Sequence, residues 1–125
     1  MNSSTKLAKL GYKVTRPRLQ VIKFLEKEKK LISARNLHKK IKTIDRASVY
    51  RTLNLLGKLH LVNIEIIKKE KLYCLANHPH HHIICRKCGY TEKFDCENNE
   101  FKKFKNFSKI YHQLTLTGVC NKCNP

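Results

Sequence analysis

The sequence lacks a long apolar segment, is poor in acidic residues, and shows no catalytic constellation. No apolar run approaches the roughly 20 residues that cross a membrane as a helix, and the N-terminus lacks the apolar core of a signal peptide. No nucleophile and base stand out together, nor do paired carboxylates, and there are no repeats or low-complexity linkers. These absences predict a cytoplasmic protein that is not an enzyme and has neither a small-molecule substrate nor a membrane partner.

Basic residues dominate the charge. The chain has 27 lysines and arginines against 9 acidic residues, a formal net charge of +18. Residues 1–60 carry 16 basic against 3 acidic residues, and residues 61–125 carry 11 against 6. An N-terminal basic field of this size favours a polyanionic partner, most simply nucleic acid. Lysine-rich surfaces also occur for solvation alone, so charge leaves both interpretations open.

Two Cys-x-x-Cys pairs stand in the last third of the chain. A chain of 125 residues forms one domain or two small modules, which commonly need a staple because their cores are small. The pairs Cys85/Cys88 and Cys120/Cys123 have the spacing of zinc knuckles, and four thiolates make a closed tetrahedral site. We therefore expect one structural Zn²⁺ bound by these four residues. A redox dithiol is the competing interpretation.

The first sixty residues predict three short helices with N-caps at Thr15, Ser33 and Asp45. The third helix runs from about Arg46 to Lys58 and is amphipathic. Three stripes of apolar residues define the predicted core face: Val21, Ile22 and Leu25; Ala34, Leu37 and Ile41; Val49, Leu53 and Leu56. The other side of the third helix presents aromatic, basic and amide side chains that suit a major groove: Tyr50, Arg51, Asn54 and Lys58.

Beyond Leu61 the apolar period changes from helix to strand. Residues 61–67 and 72–75 predict a hairpin with a basic turn at 68–71, which completes a winged helix-turn-helix. A generic small helical domain with a hairpin has the same order of elements. Strands are then expected at 82–85, 90–94 and 110–119, with a helix at 97–107 whose Phe101 and Phe104 point inward. The fold class is α+β, with domains at 1–76 and 77–125.

Histidines directly precede the first cysteine pair. If residues 80–84 are extended, His80 and His82 point to one side and His81 to the other. His80 and His82 could join Cys74 in a metal site across the module break. His81 would need partners within the second module, where Glu100 and His112 are available. These three residues form a possible second site. Adventitious histidines and a buried structural Cys74 are the alternatives.

Four segments together resemble the ferric uptake regulator family of bacterial metal-responsive repressors over nearly the whole chain. They are Gly11-Tyr-Lys-Val-Thr-Arg-Pro-Arg18, Ile32-Ser-Ala34, Ala47-Ser-Val-Tyr-Arg-Thr-Leu53 and His80-His-His-Ile-Ile-Cys-Arg-Lys-Cys-Gly89. The resemblance implies a winged-helix DNA-binding domain, a small α/β dimerisation domain stapled by a four-cysteine zinc, and a homodimer. Such a dimer binds palindromic operator DNA when loaded with metal, and so regulates transcription for metal homeostasis.

The resemblance also implies roles for individual residues. Cys85, Cys88, Cys120 and Cys123 match the structural zinc ligands, and Cys74, His80 and His82 match the regulatory metal site. The implied second site consists of His81, Glu100 and His112, although Pro79 stands where that site commonly has a histidine. Tyr50 and Arg51 match the DNA-contacting pair, and the expected DNA surface is Arg18, Ser48, Tyr50, Arg51, Asn54 and Lys58.

The regulatory metal is expected to be zinc. Iron-responsive members usually bring a histidine from just before the Ser-Ala motif, where this chain has Leu31. A fourth ligand must therefore come from His60, Asn63 or Glu65. A thiolate with two imidazoles suits Zn²⁺ better than Fe²⁺ or Mn²⁺, so the chain looks most like the zinc uptake regulator branch. The alternatives are an iron-responsive regulator, a thiol redox protein or zinc-binding chaperone, and a constitutive nucleic-acid binder.

Overall fold

The computed structural model describes residues 2–76, 80–95, 103–108 and 110–124 of a chain that divides into two units, Met1–Asn77 and His78–Pro125. In the first unit the elements are α1 (Ser3–Lys9), α2 (Arg16–Lys27), β1 (Ile32–Ser33), α3 (Ala34–Lys40), α4 (Arg46–Lys58), β2 (Val62–Ile67) and β3 (Glu70–Leu75). In the second they are β4 (His80–Cys85), β5 (Thr91–Asp95), β6 (Lys103–Phe104), β7 (Phe107–Ser108) and β8 (Thr115–Gly118). None of the helices in these described ranges has the length and apolar character to cross a membrane.

Polar N-cap side chains start the helices. Asn2, Thr15 and Ser33 each accept a hydrogen bond from the backbone N–H three residues later, which satisfies a donor that lacks an intrahelical partner. Asp45 occupies the N-cap position of α4 but makes no such bond. The predicted starts of α2, α3 and α4 are confirmed, whereas α1 was not predicted.

The core of the first unit lies between the helices and one face of a small sheet. The three predicted apolar stripes are buried, apart from Ile41, which is partly buried against the core. Val62, Tyr73 and Leu75 close this core from the sheet. Periodicity therefore identified the inward faces correctly, because residues spaced three and four apart share one side of a helix.

The hairpin of the first unit belongs to a three-stranded antiparallel sheet in the order β1-β3-β2. Its turn is two residues long, Lys68 and Lys69, shorter than the four-residue turn predicted; both have positive φ, 51° and 66°. This is the backbone of a tight hairpin turn whose twist matches that of the strands. The strand β1 was not predicted, because two residues are too short to show a period. The helices and the hairpin together form a winged helix-turn-helix.

In the second unit β4 lies between two strands, antiparallel to β5 and parallel to β8. A separate hairpin pairs Phe104 with Phe107 across β6 and β7. The predicted helix at 97–107 is wrong for residues 103–107, and its other residues, including Phe101, lie outside the described ranges. The spacing of Phe104 and Phe107, three residues apart, is compatible with a helix and with a two-residue hairpin. Lys105, with a φ of 53°, lies in the turn of the hairpin. Phe104 is 50% exposed rather than inward.

The final strand is shorter than predicted, since residues 110–114 are not part of a ladder. The backbone N–H of Leu114 donates to Nδ1 of His81 at 3.0 Å. The His81 side chain thus accepts the N–H of Leu114, which in a longer strand would donate to the backbone of β4. The strand β8 begins only at Thr115.

Leu53→Ala is expected to lower the free energy of unfolding of the first unit by about 2–5 kcal/mol, because Leu53 is completely buried and the change leaves a cavity. Urea unfolding followed by circular dichroism measures the effect. Asn54→Ala, on the exposed side of the same helix, is the control and should change stability by about 0.5 kcal/mol or less. Equal losses in both variants would contradict the assignment of the core face.

Candidate metal centre and nucleic-acid interface

Four cysteines converge in the second unit, and we call them the four-cysteine cluster. Cys85 ends β4 and Cys88 follows it in a turn, while Cys120 and Cys123 flank the turn after β8. All four sulfurs lie within 4.8 Å of one another, and the Sγ atoms of Cys88 and Cys120 are 3.7 Å apart. A tetrahedral zinc site with bonds of about 2.3 Å has edges of about 3.8 Å. The cluster could therefore hold a structural zinc ion.

Backbone amides prepare one end of this cluster for negative charge. Sγ of Cys85 accepts hydrogen bonds from the N–H groups of Cys120, at 3.4 Å, and Cys88, at 3.5 Å. These bonds lower the pKa of Cys85 to about 5. Hydrogen bonds to the sulfurs of Cys120 and Cys88 raise the pKa of Cys123 to about 12. Without a cation the four thiols therefore cannot all ionise at neutral pH, and a bound Zn²⁺ supplies the charge that lets them do so.

None of the five described cysteines forms a disulfide. Four of them make up the cluster, and the fifth is Cys74, a buried residue of β3. Cys96, for which no partner was predicted, lies outside the described residues.

Histidines alternate along β4, as expected for an extended strand. His80 and His82 lie on one face with their rings in edge-to-face contact, centroids 5.0 Å apart, and both are buried. His81 lies on the other face, where its ring is 5.7 Å from that of Phe94 and 5.2 Å from that of His112. Two neighbouring imidazoles on one face are a suitable pair of metal ligands.

The first unit carries further ligand-type side chains on the sheet face turned away from its core. Cys74 is the direct cross-strand partner of Asn63 in the β2–β3 ladder. Glu65 lies on the same face of β2, and all three residues are buried. His60, by contrast, precedes the strand, has a φ of 56° and is exposed. Thiol, amide and carboxylate groups are thus neighbours on this face, whereas the imidazole is outside it.

The predicted second metal site, His81 with Glu100 and His112, stays a prediction. Nδ1 of His81 accepts a hydrogen bond from the backbone N–H of Leu114 at 3.0 Å. A metal ion would therefore have to bind the other ring nitrogen, Nε2. His112 is exposed, and Glu100 lies outside the described residues.

The α4 helix displays the side chains expected to contact DNA. Arg51, Asn54 and Lys58 are exposed on the side opposite the buried stripe, with the partly buried Tyr50 and Ser48 at its edges. We call these five residues the recognition-helix face. The sixth expected residue, Arg18, lies on α2, where its guanidinium donates to the carbonyl of Lys13 at 2.7 Å.

Contacts along α4 hold parts of this face in place. The guanidinium of Arg46 lies 5.4 Å from the ring centroid of Tyr50, in the geometry of a cation–π contact. The Ser48 hydroxyl donates to the Asp45 carboxylate at 2.5 Å and accepts from Nη2 of Arg51 at 3.4 Å. Neither Asp45 nor Arg46 was among the residues predicted to take part in function. The sequence did offer a signal for both: Asp45 is three residues before Ser48, Arg46 is four residues before Tyr50, and side chains with these spacings are neighbours on a helix.

Residues 9–117 match the model of the ferric uptake regulator family. The ferric uptake regulation protein of Campylobacter jejuni is 35% identical, over 91% of this chain and 81% of that protein. The ferric uptake regulator of Francisella tularensis, solved with iron, has a TM-score of 0.67 and 29% identity, covering 92% of this chain and 96% of that one. FurB from M. tuberculosis, a zinc uptake regulator, has a TM-score of 0.51 and 28% identity, covering 87% and 93%.

Cys88→Ser is expected to abolish binding of the structural zinc and to lower the melting temperature, because three thiolates leave the ion incompletely coordinated. Zinc content after dialysis and thermal denaturation measure both effects. Cys96→Ser is the control, since Cys96 belongs to neither Cys-x-x-Cys pair. In the wild-type protein, zinc should be lost as the pH falls, because protons compete for the sulfurs. Retention of zinc by Cys88→Ser would contradict the proposed ligand set.

Proposed function

The chain belongs to the ferric uptake regulator family, and on that premise we propose that it is a metal-dependent transcriptional repressor that binds palindromic operator DNA as a homodimer. As a member of a family of regulators, it acts by binding rather than by catalysis. The observation that carries the proposal is the occurrence, in one chain, of a basic recognition-helix face and a pair of buried histidines beside a four-cysteine cluster.

Structural zinc in the four-cysteine cluster would connect the C-terminal ends of β4 and β8 in the second unit. Cys85 ends β4 and Cys88 comes after it, while Cys120 and Cys123 follow β8, so one ion would link the ends of two neighbouring strands. Because four sulfurs complete a tetrahedron, the site has no open position for a substrate. Its zinc binding energy stabilises the fold, which supports a structural rather than a catalytic role.

The regulatory site consists, in this proposal, of Cys74, His80 and His82. Five residues separate Cys74 from His80, so the chain itself keeps these ligands near each other. A thiolate and two imidazoles form a set typical of zinc, whereas iron and manganese favour more oxygen ligands. Asn63 and Glu65 share a face with Cys74, which favours one of them over His60 as the fourth ligand.

Metal and DNA binding are coupled if the metal-loaded arrangement of the two recognition helices is the one that fits the operator. By linkage, whichever ligand binds first raises the affinity for the other by the same factor.

A dimer is supported by the apolar surface of the second unit. Ile83 and Leu116 are cross-strand partners and are both about 40% exposed, and Tyr90 is 55% exposed. Contiguous exposed apolar residues of this kind are typical of interfaces.

Iron-responsive regulation is the second candidate. It is favoured by the Campylobacter jejuni relative, which is a ferric uptake regulation protein, and by the Francisella tularensis structure with iron. Leu31 favours zinc, because iron-responsive members usually have a histidine at this position, and the thiol of Cys74 favours zinc because a thiolate with two imidazoles suits Zn²⁺ better than Fe²⁺. A redox or chaperone role for the thiols would leave the recognition-helix face without a use.

The test is a titration of DNA binding with buffered Zn²⁺, Fe²⁺ and Mn²⁺. The protein, stripped to about one structural zinc per chain, is mixed with a duplex selected in vitro by the metal-loaded protein from a random pool. Zinc is expected to restore tight binding at the lowest free concentration. Restoration by iron instead would support the second candidate, and binding that no metal affects would contradict metal dependence altogether.

Cys74→Ala is expected to abolish the metal-dependent part of DNA binding while the structural zinc remains. Total zinc should fall by about one equivalent per chain, the ion of the regulatory site. Metal analysis and fluorescence anisotropy on the selected duplex measure the two quantities. Loss of both zinc ions, or DNA binding that still responds to zinc, would contradict a regulatory role for Cys74.

Arg51→Ala is expected to weaken binding to the selected duplex by about 1–3 kcal/mol if Arg51 contacts a base, with metal content unchanged. Anisotropy titrations at fixed salt measure the affinity. Lys23→Ala is a matched control, because it removes an exposed cation from α2, outside the recognition-helix face. Equal effects of both substitutions would mean that Arg51 contributes only its charge.

A further inference from the structure

We propose that Asp45 is a positioning residue for DNA recognition, which orients Arg51 through Ser48 and weakens the attachment of α4 to DNA of the wrong sequence. The inference rests on the proposed DNA-binding function and adds to it a determinant of specificity. It concerns a carboxylate at the start of a helix whose exposed side is otherwise basic.

The first support is the bonding of the Asp45 carboxylate. Asp45 occupies the N-cap position of α4, where an aspartate normally accepts from a backbone N–H of the first turn, but it makes no such bond. It accepts instead from the hydroxyl of Ser48 at 2.5 Å. The hydrogen bond of the carboxylate is thus to a side chain of the first turn of α4.

The second support is the link from Ser48 to Arg51. Nη2 of Arg51 donates to Oγ of Ser48 at 3.4 Å, so the three side chains form a row at positions i, i+3 and i+6. The Ser48 hydroxyl has one proton, which it gives to Asp45, and therefore it acts as acceptor for Arg51. The guanidinium keeps its remaining N–H groups for a base or a phosphate. Fixing this long side chain before contact reduces the entropy lost on binding.

The third support is charge. Between residues 29 and 64 the chain has nine lysines and arginines, and Asp45 is the single acidic residue. A wholly basic face binds any duplex, because phosphate contacts carry no sequence information. A carboxylate beside Arg51 repels phosphates at every site, whereas the oriented guanidinium gains a base contact only at the correct sequence. Asp45 therefore widens the difference between the two affinities.

Helix capping alone is the competing explanation, and the substitution Asp45→Asn separates the two. Asparagine is as good an N-cap as aspartate, and its amide oxygen can still accept from Ser48. It lacks the negative charge, which repels phosphates at every site and also strengthens the hydrogen bond from Ser48 that orients Arg51. Its loss therefore raises affinity for any duplex, but at the selected duplex this gain is offset by a less well oriented Arg51. A capping role predicts no change, whereas the proposed role predicts a loss of discrimination.

The experiment compares the metal-loaded full chain on the selected duplex and on a scrambled duplex of equal length and composition. Asp45→Asn is expected to bind the scrambled duplex about 3-fold to 10-fold more tightly, while affinity for the selected duplex changes less. The ratio of the two affinities should fall accordingly. Ser48→Ala, which keeps the charge of Asp45 and breaks the link, should weaken binding to the selected duplex more than binding to the scrambled one.

Glu26→Gln is the matched control, since it makes the same charge change at an exposed position on α2. An unchanged ratio of the two affinities in Asp45→Asn, or an equal fall of that ratio in Glu26→Gln, would overturn the proposed role of Asp45. Neither result would contradict the proposed DNA-binding function. Wild-type protein that does not prefer its selected duplex over the scrambled one would overturn the DNA-recognition function and, with it, this inference. Circular dichroism verifies that the variants keep the helix content of the wild type.

Discussion

The second unit depends on the hydrogen bonds that β4 forms along both of its edges. These bonds fix β5 on one side and β8 on the other and keep β4 extended, so that alternate residues share a face. His80 and His82 therefore lie on one face, and Cys85 reaches the four-cysteine cluster. A slip of one residue would turn both histidines to the opposite face of the sheet and change the register of Cys85 with β8.

Opposing electrostatic demands distinguish the parts of the chain. The four-cysteine cluster concentrates negative charge when its thiols ionise and therefore favours a cation, while the recognition-helix face concentrates positive charge and favours an anion. Each demand is met by a different geometry: converging sulfurs within 4.8 Å in one case, an open helix surface in the other. The proposed function uses both geometries, with a small divalent ion at the converging sulfurs and a large polyanion along the helix surface.

Local signals explain what was predictable from sequence. The N-caps and apolar stripes of α2, α3 and α4 depend on residues a few positions apart, so these predictions were correct. The spacing within each Cys-x-x-Cys pair is likewise a short-range pattern that can be read from the sequence. The helix expected at 97–107 was wrong for residues 103–107, where Phe104 and Phe107 pair across a hairpin, because phenylalanines three residues apart are compatible with a helix and with a two-residue hairpin. Contacts distant in sequence, such as that of His81 with Leu114, leave no periodic pattern and could not be foreseen.

Candidate ligands were easier to name than to combine. The residue types and their spacing indicated Cys74, His80 and His82, but only the strand register showed that Asn63 and Glu65 share a sheet face with Cys74 while His60 does not. The bond from Ser48 to Asp45 depends on a rotamer, and composition carries no information about it.

Lys68 and Lys69 adopt left-handed backbone conformations that asparagine and glycine occupy with less strain. The hairpin therefore gives up stability at its tip in order to carry two adjacent positive charges there. A sequence optimised only for folding would place Asn-Gly at this turn. The tip therefore combines two adjacent positive charges with a lower intrinsic stability than Asn-Gly would give it.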